Sequence, residues 1–432
     1  MSAAVDTRPA APAPAARVPS PLARRSWKAP ITFGVLGLAA LVLFGLLPSG
    51  GKETTFAIGA SGTWFHLTDF TIPSKAGAIV LSLICLALAG YAAWRVRDGH
   101  KPGRWVGAVF GVAWVLAFLT WAVAGKSVSI VSLLQSSLVL AVPLAFGAMG
   151  GLLGERAGVV NIAIEGQLLT GAFGAALVAS VTHSVYAGLI AAPVAGLLIG
   201  SLLALFTVKY RVNQIIVGVV LNVLAVGLTS FLYASVLKPN EATLNSPPRL
   251  QAVSIPVLAN IPVVGPVLFR QTILVYLLYV AVVVLTISLF RTRWGLRVRA
   301  VGEHPLAADT VGINVQATRW RNVLLGSMVA GLGGAFFTLG SVGKFAQEMT
   351  AGKGYIALAA MILGRWTPIG SLGAALLFGF ANALQLVLSV LDVPVPNQLM
   401  LMLPYLVTIV AVAGLVGRVR GPAAAGEPYV KE

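Results

Sequence analysis

Residues 154–167 read Gly-Glu-Arg-Ala-Gly-Val-Val-Asn-Ile-Ala-Ile-Glu-Gly-Gln: two carboxylates, an arginine and an asparagine among glycines, inside apolar sequence. An ionisable group at membrane depth is costly and normally faces a cavity or a partner. Glu155 and Arg156 suit a membrane boundary, whereas Glu165 lies deeper and is the more informative. Three readings of it stand side by side. One is a capped helix start, with Asn161 as N-cap and Glu165 on the first turn beside the helix dipole. The second is a place in a translocation path or its gate, and the third is direct contact with substrate. Gln135, Asn222, Asn382 and Gln385 are further polar residues in or near apolar runs. At each, an interhelical hydrogen bond is favoured over a ligand contact.

A second cluster is the basic loop 291–321, where Arg291, Arg293, Arg297 and Arg299 lead into Gly302, Glu303, His304 and Pro305. Pro305 suits a first helical turn, Leu306, Ala307, Ala308 and Val311 fit a short amphipathic helix, and Gly312 can end it. Such a helix is a contact for a soluble partner, or else part of a basic loop lying on anionic lipid. Glycines crowd 326–373, and G-x-x-x-G spacings recur at Gly147/Gly151, Gly150/Gly154 and Gly196/Gly200. These fit close helix packing, and those near 352–354 and 364–373 also fit broken helices beside a pathway.

Other chemistries lack their residues. The nearest approach to a phosphate-binding loop, 45–52, has the wrong spacing, and Glu53 follows where Ser or Thr is required. His66, His100, His183 and His304 are scattered, and no H-E-x-x-H or G-x-S-x-G motif occurs. The single cysteine, Cys85, excludes an internal disulfide. No catalytic residue, metal or resident cofactor is therefore expected.

The elements that must position these residues follow from composition. Only 10% of the 432 residues are charged and 58% are hydrophobic, with a mean hydropathy of +0.90. That is too little polar surface for a soluble fold. An all-α polytopic bundle follows, because helices satisfy their own backbone in lipid. Twelve spans are expected: 31–48, 76–94, 105–124, 133–153, 160–180, 186–208, 214–237, 271–290, 322–340, 349–363, 371–391 and 399–417. The tenth is short and Gly-flanked, and fits a broken or re-entrant segment. Alternating the spans from a cytoplasmic N-terminus leaves both termini inside. It also places most of the 30 Lys and Arg on the cytoplasmic face, as the positive-inside rule requires. The net charge of +17 then reads as an orientation signal rather than a nucleic-acid footprint. Residues 1–30 read as a disordered Ala/Pro-rich cytoplasmic tail, 31–125 as accessory N-terminal spans, 126–418 as the core with its loop 291–321, and 419–432 as a cytoplasmic tail. The Pro-rich outer loop 238–270 is expected to be extended or turn-rich rather than helical.

The stretch 154–166 (GERAGVVNIAIEG) resembles the hallmark of permeases of nucleoside-type ABC importers, a group that includes branched-chain amino acid and simple-sugar permeases. Residues 208–222 (VKYRVNQIIVGVVLN), 290–315, 350–385 and 401–418 are similar to the same family in the same order. The resemblance covers roughly residues 130–430. It is nearest to the second permease subunit of basic-membrane-protein-linked nucleoside systems, and 1–125 lies outside it. It implies a multi-pass subunit of the bacterial cell membrane, bathed in lipid, that forms an importing pore with a second homologous permease. A cytoplasmic ABC ATPase would bind ATP and Mg, an extracytoplasmic lipoprotein would deliver the substrate, and this chain would perform no chemistry of its own. The coupling helix would be carried by Arg299, Gly302, Glu303, Pro305, Ala307, Ala308 and Gly312. Glu165, Asn161, Asn222, Asn382 and Gln385 are the candidates for the translocation path. Import of simple sugars or another small polar solute, stand-alone secondary transport through Glu165, a membrane enzyme and a non-transporting scaffold are the competing readings.

Overall fold

The computed structural model describes residues 26–46, 51–59, 62–65, 67–391, 393, 396, 398–402, 405 and 420–431. Most of the twelfth expected span and residues 1–25 of the expected tail lie outside them. The chain divides into two compact units, 1–55 with 71–126, and 56–70 with 127–432.

The first unit holds helices α1 (Lys28–Ala40, continued by a π-helical turn to Leu46), α2 (Ser74–Arg97) and α3 (Arg104–Ala122). Aromatic side chains join them. Phe44 meets Trp114, Phe118 and Trp121 at 5.4–5.5 Å between ring centroids. The Trp114 indole donates to the Leu36 carbonyl. Thr54, Ser74 and Thr120 are buried, and the Thr54 hydroxyl bonds both the Ser74 hydroxyl and the Thr120 carbonyl. This satisfies polar groups that would otherwise be costly to bury.

The second unit is built on α4 (Ile130–Arg156), α5 (Ile164–Thr182), α6 (Val185–Ala204) and α7 (Gln214–Leu232). The loop between α7 and the next long helix carries the short helices α8 (Glu241–Leu244) and α9 (Val264–Phe269). Then come α10 (Ile273–Arg291), α11 (Arg293–Glu303), α12 (Pro305–Thr310), α13 (Val315–Ala335), α14 (Lys353–Leu363) and α15 (Pro368–Val390). Helix α4 runs through the centre and packs on α13, α14 and α15, while α13 packs on α5 and α6. With lipid outside there is little hydrophobic gain from pairing helices, so close van der Waals approach holds them. Gly150 and Gly326 illustrate it, since a Cβ on either would run into the other's carbonyl. Gly147 and Gly151 approach α5 and α14, and Gly196 and Gly200 approach α13, in the same way, whereas Gly154 meets its own turn at Val159.

Among the described residues, ten helices are long and apolar enough to cross a membrane. They coincide with the first nine expected spans and the eleventh. The tenth differs: only 353–363 is helical, and eleven residues reach about 17 Å, well short of a ~30 Å hydrocarbon core. The fifth starts later than expected, because 157–163 is non-helical and α5 begins at Ile164. The Pro-rich loop 238–270 contradicts the expectation of no helix. Val264–Phe269 forms one turn with Pro266 inside it, and a proline there removes an N–H that has no intrahelical partner at a first turn. Strands Ala252–Ser254 and Arg270–Thr272 close that loop as an antiparallel pair.

Candidate functional site

Two breaks in the helical ladder define the site: 157–163, before α5, and 343–352, before α14. Neither break can satisfy its backbone by regular helix bonds, so side chains must do it. The stretch 154–167 supplies them at both ends of α14.

At the N-terminal end of α14, the Glu165 carboxylate accepts from the Thr350 hydroxyl at 2.6 Å, the Gly352 N–H at 2.8 Å and the Gly354 N–H at 2.5 Å. These amides are orphan donors of the first turn, and an anion there is also favoured by the helix dipole. Residues Glu348 and Ala351 hold positive φ of 52° and 45°. Such backbone costs about 1–3 kcal/mol each and persists only where neighbours impose it. At the C-terminal end of α14, Arg156 donates from Nε and a terminal nitrogen to the Trp366 carbonyl (2.9 and 2.8 Å) and reaches the Arg365 carbonyl at 3.4 Å. Glu155 accepts from the Trp366 indole N–H. Arg365 and Trp366 again have positive φ, 55° and 50°. One motif thus clamps an isolated short helix at both ends, anion to its N-terminus and cation to its C-terminus, in the sense that the dipole favours.

Asn161 is not the N-cap of α5. That position is Ala163, without a side-chain bond. Asn161 instead forms a reciprocal amide pair with Gln167, and Gln167 also donates to Ser327 on α13. Asn222 ties α7 to the break: its Oδ1 accepts from the Gly166 N–H, and its Nδ2 donates to the Ile162 carbonyl and the Tyr355 hydroxyl. Beside this cluster lies a half-open cavity of about 280 Å³, lined by Glu165, Asn222, Val223, Val226, Glu348 and Tyr355 together with residues 350–352. That is at the lower edge of small-molecule sites, which combine apolar walls with a few fixed polar groups. Asn382 and Gln385 are not brought there. Both sit on α15, where the Asn382 amide bonds its own helix at the Phe378 carbonyl. Spacing alone missed Gln167, Thr350 and Tyr355, which bond Ser327, Glu165 and Asn222 far along the chain, and Glu348, which the fold brings to the cavity wall. Among the described residues no group of His, Cys, Asp or Glu has the disposition of a metal site.

The loop 291–321 holds two short helices rather than one, and its last residues, from Val315, already belong to α13. α11 ends at Glu303, and His304 starts α12 by accepting from the Ala307 N–H through Nδ1. Pro305 occupies the first turn and Gly312, at φ +84°, follows its end. Leu306 and Val311 are exposed while Ala308 is buried, so α12 is amphipathic. Gly302 lies against the motif, where a Cβ would strike the Arg156 carbonyl. Arg156 and Arg299 both lie over the Phe290 ring, at 5.7 and 5.3 Å. Glu303 and Ala307 stand at the junction between the two helices.

A permease family model described as branched-chain amino acid transport system / permease component matches residues 133–412. The guanosine ABC transporter permease protein NupQ of Bacillus subtilis is 39% identical over 69% of this chain and 96% of its own length. The nucleoside ABC transporter permease protein NupC of Lactococcus lactis is 37% identical over the same shares, 69% and 96%. The glucose ABC transporter permease protein TsgB13 of Haloferax volcanii is 33% identical over 57% of this chain and 67% of its own. The first two organisms each contribute a second, more distant permease, at 27% over 52% of this chain and 65% of the relative, and at 25% over 55% and 67%. No solved structure matches the chain.

Proposed function

The chain belongs to the branched-chain amino acid transport system / permease component family, as a multi-pass membrane protein, and we propose that it is a pore-forming permease subunit of a nucleoside importer of the ATP-binding cassette type. The observation that carries the substrate class is the 39% and 37% identity to guanosine and nucleoside permeases across 96% of their lengths. The occurrence of two related permeases in each of those organisms supports a second permease as partner. ATP with Mg would be bound by a separate cytoplasmic ATPase and substrate delivered by an extracytoplasmic lipoprotein. No step of bond chemistry falls to this chain.

In this reading α11–α12 is the cytoplasmic coupling segment and the cavity beside Glu165 borders the path. The two are joined through the motif. Movement of α11 pushes at Gly302 on the backbone of Arg156 and Gly158. Residues 154–166 then carry the displacement to Glu165 at the other end of α14. A rigid short helix clamped at both ends moves as one body, which is what switching between outward and inward access requires. Glu165 spends its carboxylate on three donors, which favours a gating role over direct substrate contact. Glu348, exposed at the cavity wall, is the better contact for substrate hydroxyls.

The test is uptake by the reconstituted complex of both permeases, ATPase and receptor, using labelled guanosine, other nucleosides and glucose. ATP-dependent nucleoside accumulation is expected. Glucose accumulation without nucleoside uptake would move the chain to the sugar importers, and uptake that survives ATP depletion but collapses with the proton gradient would make it a secondary transporter. Pro305→Gly, with the complex assembled, is expected to abolish uptake. Glu348→Gln is expected to raise the KM for nucleoside with little loss of maximal rate.

A further inference from the structure

Residues 420–431 read Arg-Gly-Pro-Ala-Ala-Ala-Gly-Glu-Pro-Tyr-Val-Lys, a composition typical of unstructured tails. In the fold they are seated across both helices of the coupling segment. The Ala424 N–H donates to the Gly302 carbonyl at 2.9 Å, and the Ala423 N–H to the Glu303 carboxylate at 3.3 Å. Gly302 is therefore held on one side by the tail while its other side rests on the Arg156 backbone. Further along, the Glu427 carbonyl accepts from Arg319 at 2.7 Å, and Arg319 is 3% exposed. Tyr429 is 7% exposed and fills a cluster with Val301 of α11, Ala308 of α12 and Val315 of α13. Lys431 pairs with Asp309 at 3.7 Å, an exposed contact of little weight. Gly421 lies against the Trp366 ring, so the tail also touches the C-terminal clamp of α14.

Two short helices of eleven and six residues have little intrinsic stability. Their relative placement must come from what packs on both, and Tyr429 does so at their junction. We propose that 420–431 is a brace that positions α11 and α12 as one rigid body, so that force delivered to the exposed face of α12 arrives at Gly302 and the motif rather than bending the junction at His304. Tyr429 is its positioning residue and Arg319 its anchor. The proposal rests on the reading of α11–α12 as the coupling segment.

The test uses the reconstituted complex, reading assembly, ATP hydrolysis and uptake separately. Tyr429→Ala and a chain ending at Arg420 are each expected to assemble and hydrolyse ATP while uptake per ATP falls roughly tenfold, the scale at which a coupling contact is felt. Tyr429→Phe, which keeps the ring, is expected to retain coupling. Asp309→Cys with Lys431→Cys, joined by a reducible thiol-to-thiol cross-linker in place of an exposed pair of little weight, keeps the tail in place without asking the chain to tolerate a deletion. A brace leaves the cross-linked protein transporting, whereas a tail that must move aside gives loss of uptake that reductant restores, which overturns the proposal. Parent-like uptake per ATP in both Tyr429→Ala and the truncated chain also overturns it. Pro305→Gly separates the two readings. If it uncouples while the tail variants do not, the brace fails and the coupling segment stands. If neither uncouples, the coupling assignment itself is wrong.

Discussion

The two ends of α14 are secured by opposite chemistry. At its N-terminal end a single carboxylate, Glu165, gathers three donors around a strained turn, in a buried setting beside a cavity. At its C-terminal end an arginine fork, Arg156, holds backbone carbonyls of another strained turn, next to α11 and the tail. The first is a closed network in which every oxygen of the carboxylate is used. The second is a layered junction of backbone against backbone, where a shift in one layer displaces the next. The contrast teaches that one motif holds a short helix by two chemistries, a carboxylate saturated with donors at one end and an arginine fork stacked beside α11 at the other.

The largest expected effect is at the closed end. Glu165→Ala leaves three donors without their acceptor and removes the charge that complements the α14 dipole. Stability is expected to fall by about 3–5 kcal/mol, read as a lowered thermal midpoint of the purified complex, with uptake lost. Glu165→Gln, which keeps an acceptor for Thr350 and Gly352, is expected to cost roughly half as much. Arg156→Ala comes next, at about 2 kcal/mol, because water can reach the carbonyls it abandons at that edge. A larger loss at Arg156 than at Glu165 would reverse the assignment of the two ends. Gly302→Ala sharpens the comparison differently. Its Cβ collides with the Arg156 carbonyl, so about 1–3 kcal/mol of overpacking is expected. Uptake per ATP should fall more than stability does, measured on the same reconstituted preparation. The smallest effect is expected at Asn382→Ala, within about 0.5 kcal/mol, since among the described residues that amide bonds its own helix at the Phe378 carbonyl; a loss comparable to that at Glu165 would place α15 in the path after all.

Much of this was legible from residues. Glu165 is a carboxylate set inside an apolar stretch, and that alone marks it. Pro305 and Gly312 announce the bounds of α12, because one fixes φ and the other tolerates left-handed backbone. The glycines at 352 and 354 announce a broken segment. What was not legible is the partner of each group. Asn161 reads as an N-cap from its neighbours, yet its amide is matched by Gln167 and the α5 cap position has no side-chain bond. His304 does not look like a helix start, but its ring nitrogen accepts the amide that a serine or aspartate would. The tail 420–431 carries no periodicity, so only its contacts with Gly302, Val301 and Ala308 give it order.

By itself the sequence determined the solvent and the class of element. So few charges in 432 residues exclude a soluble fold, and the spacing of apolar runs gives helices, because a backbone in lipid must satisfy itself locally. Those are properties of composition and period, readable along one dimension. The tertiary structure alone decided that Glu165 caps a helix nearly two hundred residues away, that Arg156 answers it at the other end, and that residues 420–431 lie on α11 and α12. Such pairings depend on which backbone groups the helix breaks leave unsatisfied, and on what the folded chain brings within hydrogen-bond reach of them. Neither quantity exists until the helices have packed.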